Sequence, residues 1–404
     1  RKKMLKNVQL LSEEAVAETG LGRVEDKIAK NRLVSEKTPG TEDLFPAARS
    51  GDHGLSLFEC APYGVIGAIT PVTNPTSTII CNAIGMVAAG NGVVFNVHPF
   101  AKNTSIKNIG LLNQAIIEAG GPTDLVTGVF EPTIETAQEL MQHPGIRLLV
   151  VTGGGAVVKA AMNSGKRAIC AGPGNPPVVV DETADIERAG RDIVKGASFD
   201  NNIICVDEKE VIAVDSIADK LIKSMTRNGG YLLNQDQIFQ LQNIIFEKIN
   251  GASQPGVINK SFIGKNASVI LSQIGISVDE KVRLIIADVN KNHPLVWTEQ
   301  MMPVMPIVRV SNADEGIDFA KLAEGGNYHT AVMYSKNIDN LSRMAREINS
   351  TIFVKNGPSY AGLGFGGEGH TSFSIASPTG EGLTGPRSFS RERRCVLVDH
   401  FRIV

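Results

Sequence analysis

The chain has 404 residues, of which 42% are hydrophobic and 20% charged, with a formal net charge of −2. That length exceeds what one simple core fills, so two domains are expected, and the mix is that of a soluble globular protein. The near-neutral balance leaves no basic surplus to hold nucleic acid or an anionic membrane.

The opening run "LLSEEAVAETGLGRVEDKIAKNRLVSEKT" has helical period, with a break at Gly20-Leu21-Gly22. From Gly64 the texture changes. "YGVIGAIT", "GNGVVFNV", "DLVTGV" and "IRLLVVTGG" are short β-rich runs, and "NTSIKNIGLLNQAIIEAG" and "TIETAQELMQH" are amphipathic helices between them. Such alternation implies parallel βαβ units with ligands at the carboxyl ends of the strands. The most apolar stretch, 77–95, contains Asn82, Gly85, Gly90 and Asn91, so it reads as a buried helix leading into a buried strand, not a membrane span. A second block begins near Pro177, with a strand over 177–180, a capped helix from about Thr183, the strand "KEVIAVDS", two long helices and the strand "MMPVMPIVRV". "CAGPGNPP", 170–177, is too rigid for helix and reads as a crossover between domains. The tail "RRCVLVDHFRIV" reads as a strand that ends exposed or pairs with another subunit.

The five cysteines, Cys60, Cys81, Cys170, Cys205 and Cys395, are scattered and lack C-x-x-C spacing, so neither a disulfide framework nor a thiolate metal site is expected. Three histidines (His98, His143, His293) precede proline, and none falls in a metal-binding pattern. No secretory signal is visible, and the sequence opens "RKKMLKN". "RLLVVTGGGAVVKAAM" is strand, three glycines, helix; it departs from G-x-G-x-x-G, yet its helix start can face a phosphate. "ITPVTNPTS" is a proline-stiffened turn that holds Thr73 and Asn74 at a strand end. "SFDNNIICVDEKEV" places Cys205 after an apolar run and before an acidic turn, 207–210, where a structural and a reactive thiol look alike.

Taken in order, "APYGVIGAITPVTNPTST", "SFDNNIICVDEKEVIAV", "HTAVMYSKN" and "GGEGHTSFSIASPTGEGLTGPRSFSRERRC" resemble the aldehyde dehydrogenase superfamily. Within it they resemble the CoA-acylating branch, the propionaldehyde and acetaldehyde dehydrogenases of bacterial propanediol and ethanolamine utilisation. The resemblance implies an α/β aldehyde dehydrogenase fold: a Rossmann-like NAD-binding domain over 1–47 and 63–174, a catalytic domain over 175–374, and a β-strand oligomerisation element over 48–62 and 388–404. It puts the nucleophile on Cys205; the strict Pro-x-Asn pattern puts the oxyanion amide at Thr73, and the turn Pro71-Val72-Thr73-Asn74-Pro75 makes Asn74 the candidate. Cofactor contacts fall on Thr70, Pro71, Val72, Thr73, His98, Thr152, Gly153, Gly154, Gly174, Glu299 and Met301, with Glu299 on the nicotinamide ribose. The family's adenosine-ribose lysine is Asn96 here, and the glutamate that activates water in hydrolytic members is Ala171.

That last change implies an acyl-enzyme awaiting a thiol rather than water. The expected reaction turns a short-chain aldehyde, NAD and coenzyme A into acyl-CoA and NADH, with no metal, in a homo-oligomer (a dimer or a dimer of dimers). The same branch implies a cytoplasmic enzyme, inside a bacterial microcompartment, with an encapsulation peptide N-terminal of Arg1. Three rivals stay open: the aldehyde half of a bifunctional aldehyde–alcohol dehydrogenase, an enzyme that passes the acyl group to phosphate rather than CoA, and a catalytically silent scaffold of the microcompartment.

Overall fold

The computed structural model describes residues 1–402, so the last two residues of the expected oligomerisation element lie outside the described residues. The chain forms two compact units. One comprises Arg1–Glu18, Ile28–Gly172 and the chain from His370; the other comprises Thr19–Lys27 and Pro173–Gly369. Among the described residues no helix is long and apolar enough to cross a membrane.

The first unit is built on a five-stranded sheet with spatial order Val126–Gly128, Gly92–Asn96, Val65–Ile69, Ile146–Thr152, Ala168–Ala171, every pair parallel. Ile66, Ala68, Val93, Phe95, Leu148, Leu149, Val150 and Val151 are buried on it, which is why these runs read as continuous apolar stretches. The apolar 77–95 stretch resolves into the helix Pro75–Ala88 and the strand Gly92–Asn96. Helix Ile134–Gln142 begins with a reciprocal Thr133/Thr136 capping box. The order along the sheet reverses between Val65–Ile69 and Ile146–Thr152, so the loops leaving those two strands flank a topological switch point. The same unit carries an antiparallel sheet of Ala47–Gly51, Gly54–Pro62 and Ser390–Val398, the last at its outer edge. Val396 and Val398 on that edge are 54% and 72% exposed.

The second unit holds seven parallel strands in the order Gly230–Leu232, Leu284–Asp288, Val304–Val310, Glu210–Val214, Pro177–Val180, Thr330–Tyr334, Ile352–Lys355. Helix Ile186–Ala197 starts three residues later than the pattern suggested. Thr183 is held in a turn by Asp181, and Asp185 caps the helix by accepting from the Arg188 N–H at 3.1 Å.

Candidate active site

In the second unit, helix Ile186–Ala197 ends at Ser198 and the chain turns through Asp200, Asn201 and Asn202 with φ of 46°, 56° and 66°. Three successive left-handed residues other than glycine are costly, and asparagine and aspartate tolerate the region best. Side chains hold the turn in place. Asp200 accepts from the Arg23 N–H at 2.7 Å and from Lys27 Nζ at 3.0 Å, and Asp26 accepts from the Asp200 N–H at 2.9 Å. Asn201 Nδ2 donates to the Gly264 carbonyl, and Asn202 Nδ2 to the carbonyls of Ala197 and Glu208. Gly22 packs so closely here that a Cβ would lie 2.0 Å from Asp200 Oδ1.

This turn delivers Cys205 half-buried, with Ile203 and Ile204 anchored in the core before it. The stretch read as an acidic turn proves otherwise: Asp207, Glu208, Lys209 and Glu210 are all fully buried. Each is placed by a specific need. Asp207 accepts from the Ile204 N–H at 3.1 Å, and Glu208 accepts from the Ser359 N–H and Oγ at 2.8 and 2.9 Å. Lys209 Nζ donates to the Asn202 carbonyl at 3.0 Å, to Asn202 Oδ1 at 2.6 Å and to the Ile204 carbonyl at 3.3 Å, so the three donors of one ammonium tie the chain just before Cys205. Burial pushes Glu208 up to about 7 and, with Glu324 beside it, pushes Glu210 well above the carboxylate range. Neither oxygen of Glu210 has a hydrogen-bond partner among the described residues.

Gly174, Glu299 and His329 join Cys205. The Gly174 N–H donates to Glu299 Oε1 at 3.3 Å. A Cβ on residue 174 would sit 2.9 Å from His329 Cγ and 3.0 Å from the Cys205 carbonyl oxygen, so only glycine fits there. Burial, and next the Glu299 carboxylate, push the Cys205 thiol up to about 12, against the opposing charge of Lys209. Burial likewise raises Glu299. His329 is fully buried; burial and Lys209 lower it to about 4, and its Nε2 has no partner while Nδ1 meets Thr330 Oγ1 at 2.9 Å. The imidazole is therefore neutral at physiological pH. Met301 adopts φ 53° and its carbonyl accepts from the Gly264 N–H, at the edge of the same loop system. Sequence reasoning missed His329, Lys209 and Lys27; His329 does begin the quoted "HTAVMYSKN".

In the first unit the remaining expected residues collect at the carboxyl edge of the five-stranded sheet. Thr70 follows Val65–Ile69 with its hydroxyl buried and unpartnered. Pro71, Val72, Thr73 and Asn74 form the turn into helix Pro75–Ala88, and Thr73 and Asn74 are buried. Thr152 ends Ile146–Thr152, its hydroxyl 2.7 Å from Ser374 Oγ, and the Gly153 N–H donates to the Ala171 carbonyl. Gly154 caps helix Gly155–Met162, and a Cβ on Gly154 or Gly155 would meet open space. Packing does not demand those glycines, whereas an anion approaching the unpaired N–H groups of the helix start would. With the orphaned Thr70 hydroxyl, the donors along this edge fit the needs of an anionic, phosphate-bearing group. His98 caps the following turn: its Nδ1 accepts from the Phe100 N–H at 3.2 Å, and burial lowers it. Asn96 Oδ1 accepts from Thr136 Oγ1 at 2.8 Å, tying it to the neighbouring helix. Ala171 ends Ala168–Ala171, buried. The adjacent Cys170 is pushed up to about 11 by burial and Glu381, a structural thiol.

Known proteins resemble the chain over nearly its whole length. The chain is 54% identical over 400 residues to an acetaldehyde dehydrogenase (acetylating) of Salmonella typhimurium, covering 99% of this chain and 85% of that one. The solved structure of Rhodopseudomonas palustris propionaldehyde dehydrogenase with bound CoA and an acylated cysteine superposes with a TM-score of 0.96 at 51% identity, covering 100% of this chain and 92% of that one. A propionaldehyde dehydrogenase from the Clostridium phytofermentans fucose utilisation bacterial microcompartment superposes with a TM-score of 0.96 at 48% identity, covering 100% and 91%. The sequence pattern of the aldehyde dehydrogenase family matches residues 22–236 and 282–383, and the chain belongs to that family.

Proposed function

We propose that the chain is a CoA-acylating aldehyde dehydrogenase, which oxidises a short-chain aldehyde with NAD and coenzyme A to acyl-CoA and NADH through a thioester on Cys205. The observation that carries the reading is the company of Cys205: a half-buried thiol on a strained turn, between Lys209, Glu299 and a neutral His329 with a free Nε2. The acylating names of the relatives, and the acylated cysteine of the R. palustris structure, support it.

Cys205 Sγ adds to the aldehyde carbon while its proton leaves, and Nε2 of His329 is the unoccupied base nearby. The family resemblance assigns the resulting oxyanion to the Cys205 N–H and the Asn74 amide; one such donor is worth roughly 10²–10³-fold in rate. The bound nicotinamide supplies the hydride acceptor. Glu299, Gly174 and Met301 in one unit, and Thr70–Thr73, His98 and Thr152–Gly154 in the other, are assigned to the dinucleotide. Collapse of the thiohemiacetal leaves a thioester, and the CoA thiol displaces Cys205, whose departing thiolate gains from the Lys209 charge. Ala171 offers a methyl where hydrolytic members carry a carboxylate, so water is not activated against the thioester.

The first unit is assigned to the dinucleotide, the second to the nucleophile, and the antiparallel sheet to pairing with a second copy through the outer strand Ser390–Val398. Residence in a bacterial microcompartment is inferred from the C. phytofermentans relative. The test is aldehyde plus NAD without CoA. One burst of NADH, approaching one per Cys205, followed by near-silence until CoA restores turnover, is expected. Sustained CoA-independent release of carboxylic acid overturns the acylating reading, and absence of any NADH with CoA present overturns the enzymatic one.

A further inference from the structure

Asn74 stands at the N-cap of helix Pro75–Ala88, a position where an asparagine oxygen ordinarily accepts from the first free N–H groups of the helix. Here its side chain makes no capping bond. The oxygen is diverted: Lys30 Nζ donates to Asn74 Oδ1 at 2.6 Å, and Lys30 is only 2% exposed. Neighbouring contacts fix the approach. Asn31, which follows Lys30 on helix Val24–Lys37, accepts from Thr76 Oγ1 at 2.9 Å and donates from Nδ2 to Ser12 Oγ at 3.0 Å, while Asn108 Nδ2 donates to the Thr76 carbonyl at 3.0 Å.

The chemistry of this contact settles which way the amide faces. An ammonium has donors only, so the atom it meets must be the oxygen, and the NH₂ must point the opposite way. One amide hydrogen goes to Thr73 Oγ1 at 3.2 Å. The second is left for a ligand. A charge-assisted bond to the amide oxygen also polarises the group, which makes its N–H a stronger donor.

We propose that Lys30 is the positioning residue of the oxyanion amide, locking Asn74 with its N–H toward the substrate oxygen. The proposal rests on the assignment of Asn74 above, and the experiment separates the two. Lys30→Met, Lys30→Gln, Asn74→Ala and the double variant Lys30→Met/Asn74→Ala are compared in the full chain with propanal, NAD and CoA. A donor used only in the transition state lowers kcat and leaves KM nearly unchanged. Asn74→Ala is expected to lose roughly 10²–10³-fold in kcat. Lys30→Met is expected to fall within about tenfold of that loss, and Lys30→Gln, which keeps a neutral donor, to lie between it and the parent. On the Asn74→Ala background, Lys30→Met adds less than about threefold, because both changes remove one interaction. The rate of Cys205 modification by a small disulfide needs no oxyanion donor and stays at the parental value in every variant; a general disturbance of the fold would move it.

Parental kcat in Lys30→Met together with a large loss in Asn74→Ala overturns the role of Lys30 and keeps that of Asn74. A full kcat in Asn74→Ala overturns the assignment of Asn74 itself. Multiplicative losses in the double variant show Lys30 acting independently of the amide and also overturn the proposal. If Lys30→Met fails to fold, Lys30→Gln alone and on the Asn74→Ala background decides by the same comparison.

Discussion

Raising the pH of the protein without its co-substrates exposes the state of the Cys205 thiol. Burial and the Glu299 carboxylate lift it from an ordinary value of 9.0 to about 12. Thiolate is the reactive form, so three units cost about 10³-fold in its population at any pH below 9. The higher-pKa thiolate is intrinsically more nucleophilic, by about 20-fold for a Brønsted coefficient near 0.45. The population term wins, and Cys205 should react with a small disulfide about 50-fold more slowly than glutathione in the same tube at pH 8. The assay is peptide-resolved mass spectrometry of the mixed disulfide between pH 7 and 10.5. The rate at Cys205 should climb about tenfold per pH unit with no plateau, whereas glutathione levels off above its own pKa. Glu299→Gln removes the second cause of the shift and should speed modification at fixed pH. A plateau below pH 9, or a Cys205 rate above that of glutathione, refutes the reasoning. If it holds, turnover at neutral pH requires the proton to leave as the C–S bond forms, which is the task assigned to Nε2 of His329.

Two further outcomes are expected. Lys27→Met strips the fully buried Asp200 of the ammonium 3.0 Å away and should cost roughly 3–5 kcal/mol, read as a fall in the urea midpoint that Asp200→Asn in the same chain largely restores; an unchanged midpoint in the single variant contradicts the pairing. His329 has a folded-state value near 4, below the ordinary 6.5, so the unfolded chain binds its proton first as pH falls. Its contribution of about 3 kcal/mol is full above 6.5 and lost as pH drops toward 4, and His329→Gln should flatten Tm against pH across that window.

The fold was legible because its strands are buried on both faces. Residues 65–69, 92–95 and 148–151 run without a polar side chain, and the helices between these strands keep a polar face, so both periods show in the sequence. The Cys205 loop and the glycine loop were legible for a similar reason, since each is a contiguous segment whose local chemistry sits in one motif. The helix start misplaced at Thr183 shows the limit of that logic. Thr183, Asp181 and Asp185 all offer capping oxygens within five residues, and only the pairing of Asp181 with Ser335, at 2.5 Å and far along the chain, leaves Asp185 as the cap.

What escaped the sequence were charges whose partners lie far away in it. Lys27 meets Asp200 across 173 positions and Lys30 meets Asn74 across 44. A lysine on a helix, or a D-E-K-E run after a strand, is solvent-facing by default because an unpaired buried charge is so costly. The cost is the reason such groups inform once the fold is known. Lys209, Glu208 and Glu210 sit fully buried within a few residues of Cys205, and hydrophobic side chains of similar volume would fill that space with less strain. Local rules are broken in a stable fold chiefly where chemistry needs them broken. On that ground alone, the buried ionisable groups beside a half-buried thiol mark Cys205, rather than the fully buried Cys81 or Cys170, as the reactive cysteine.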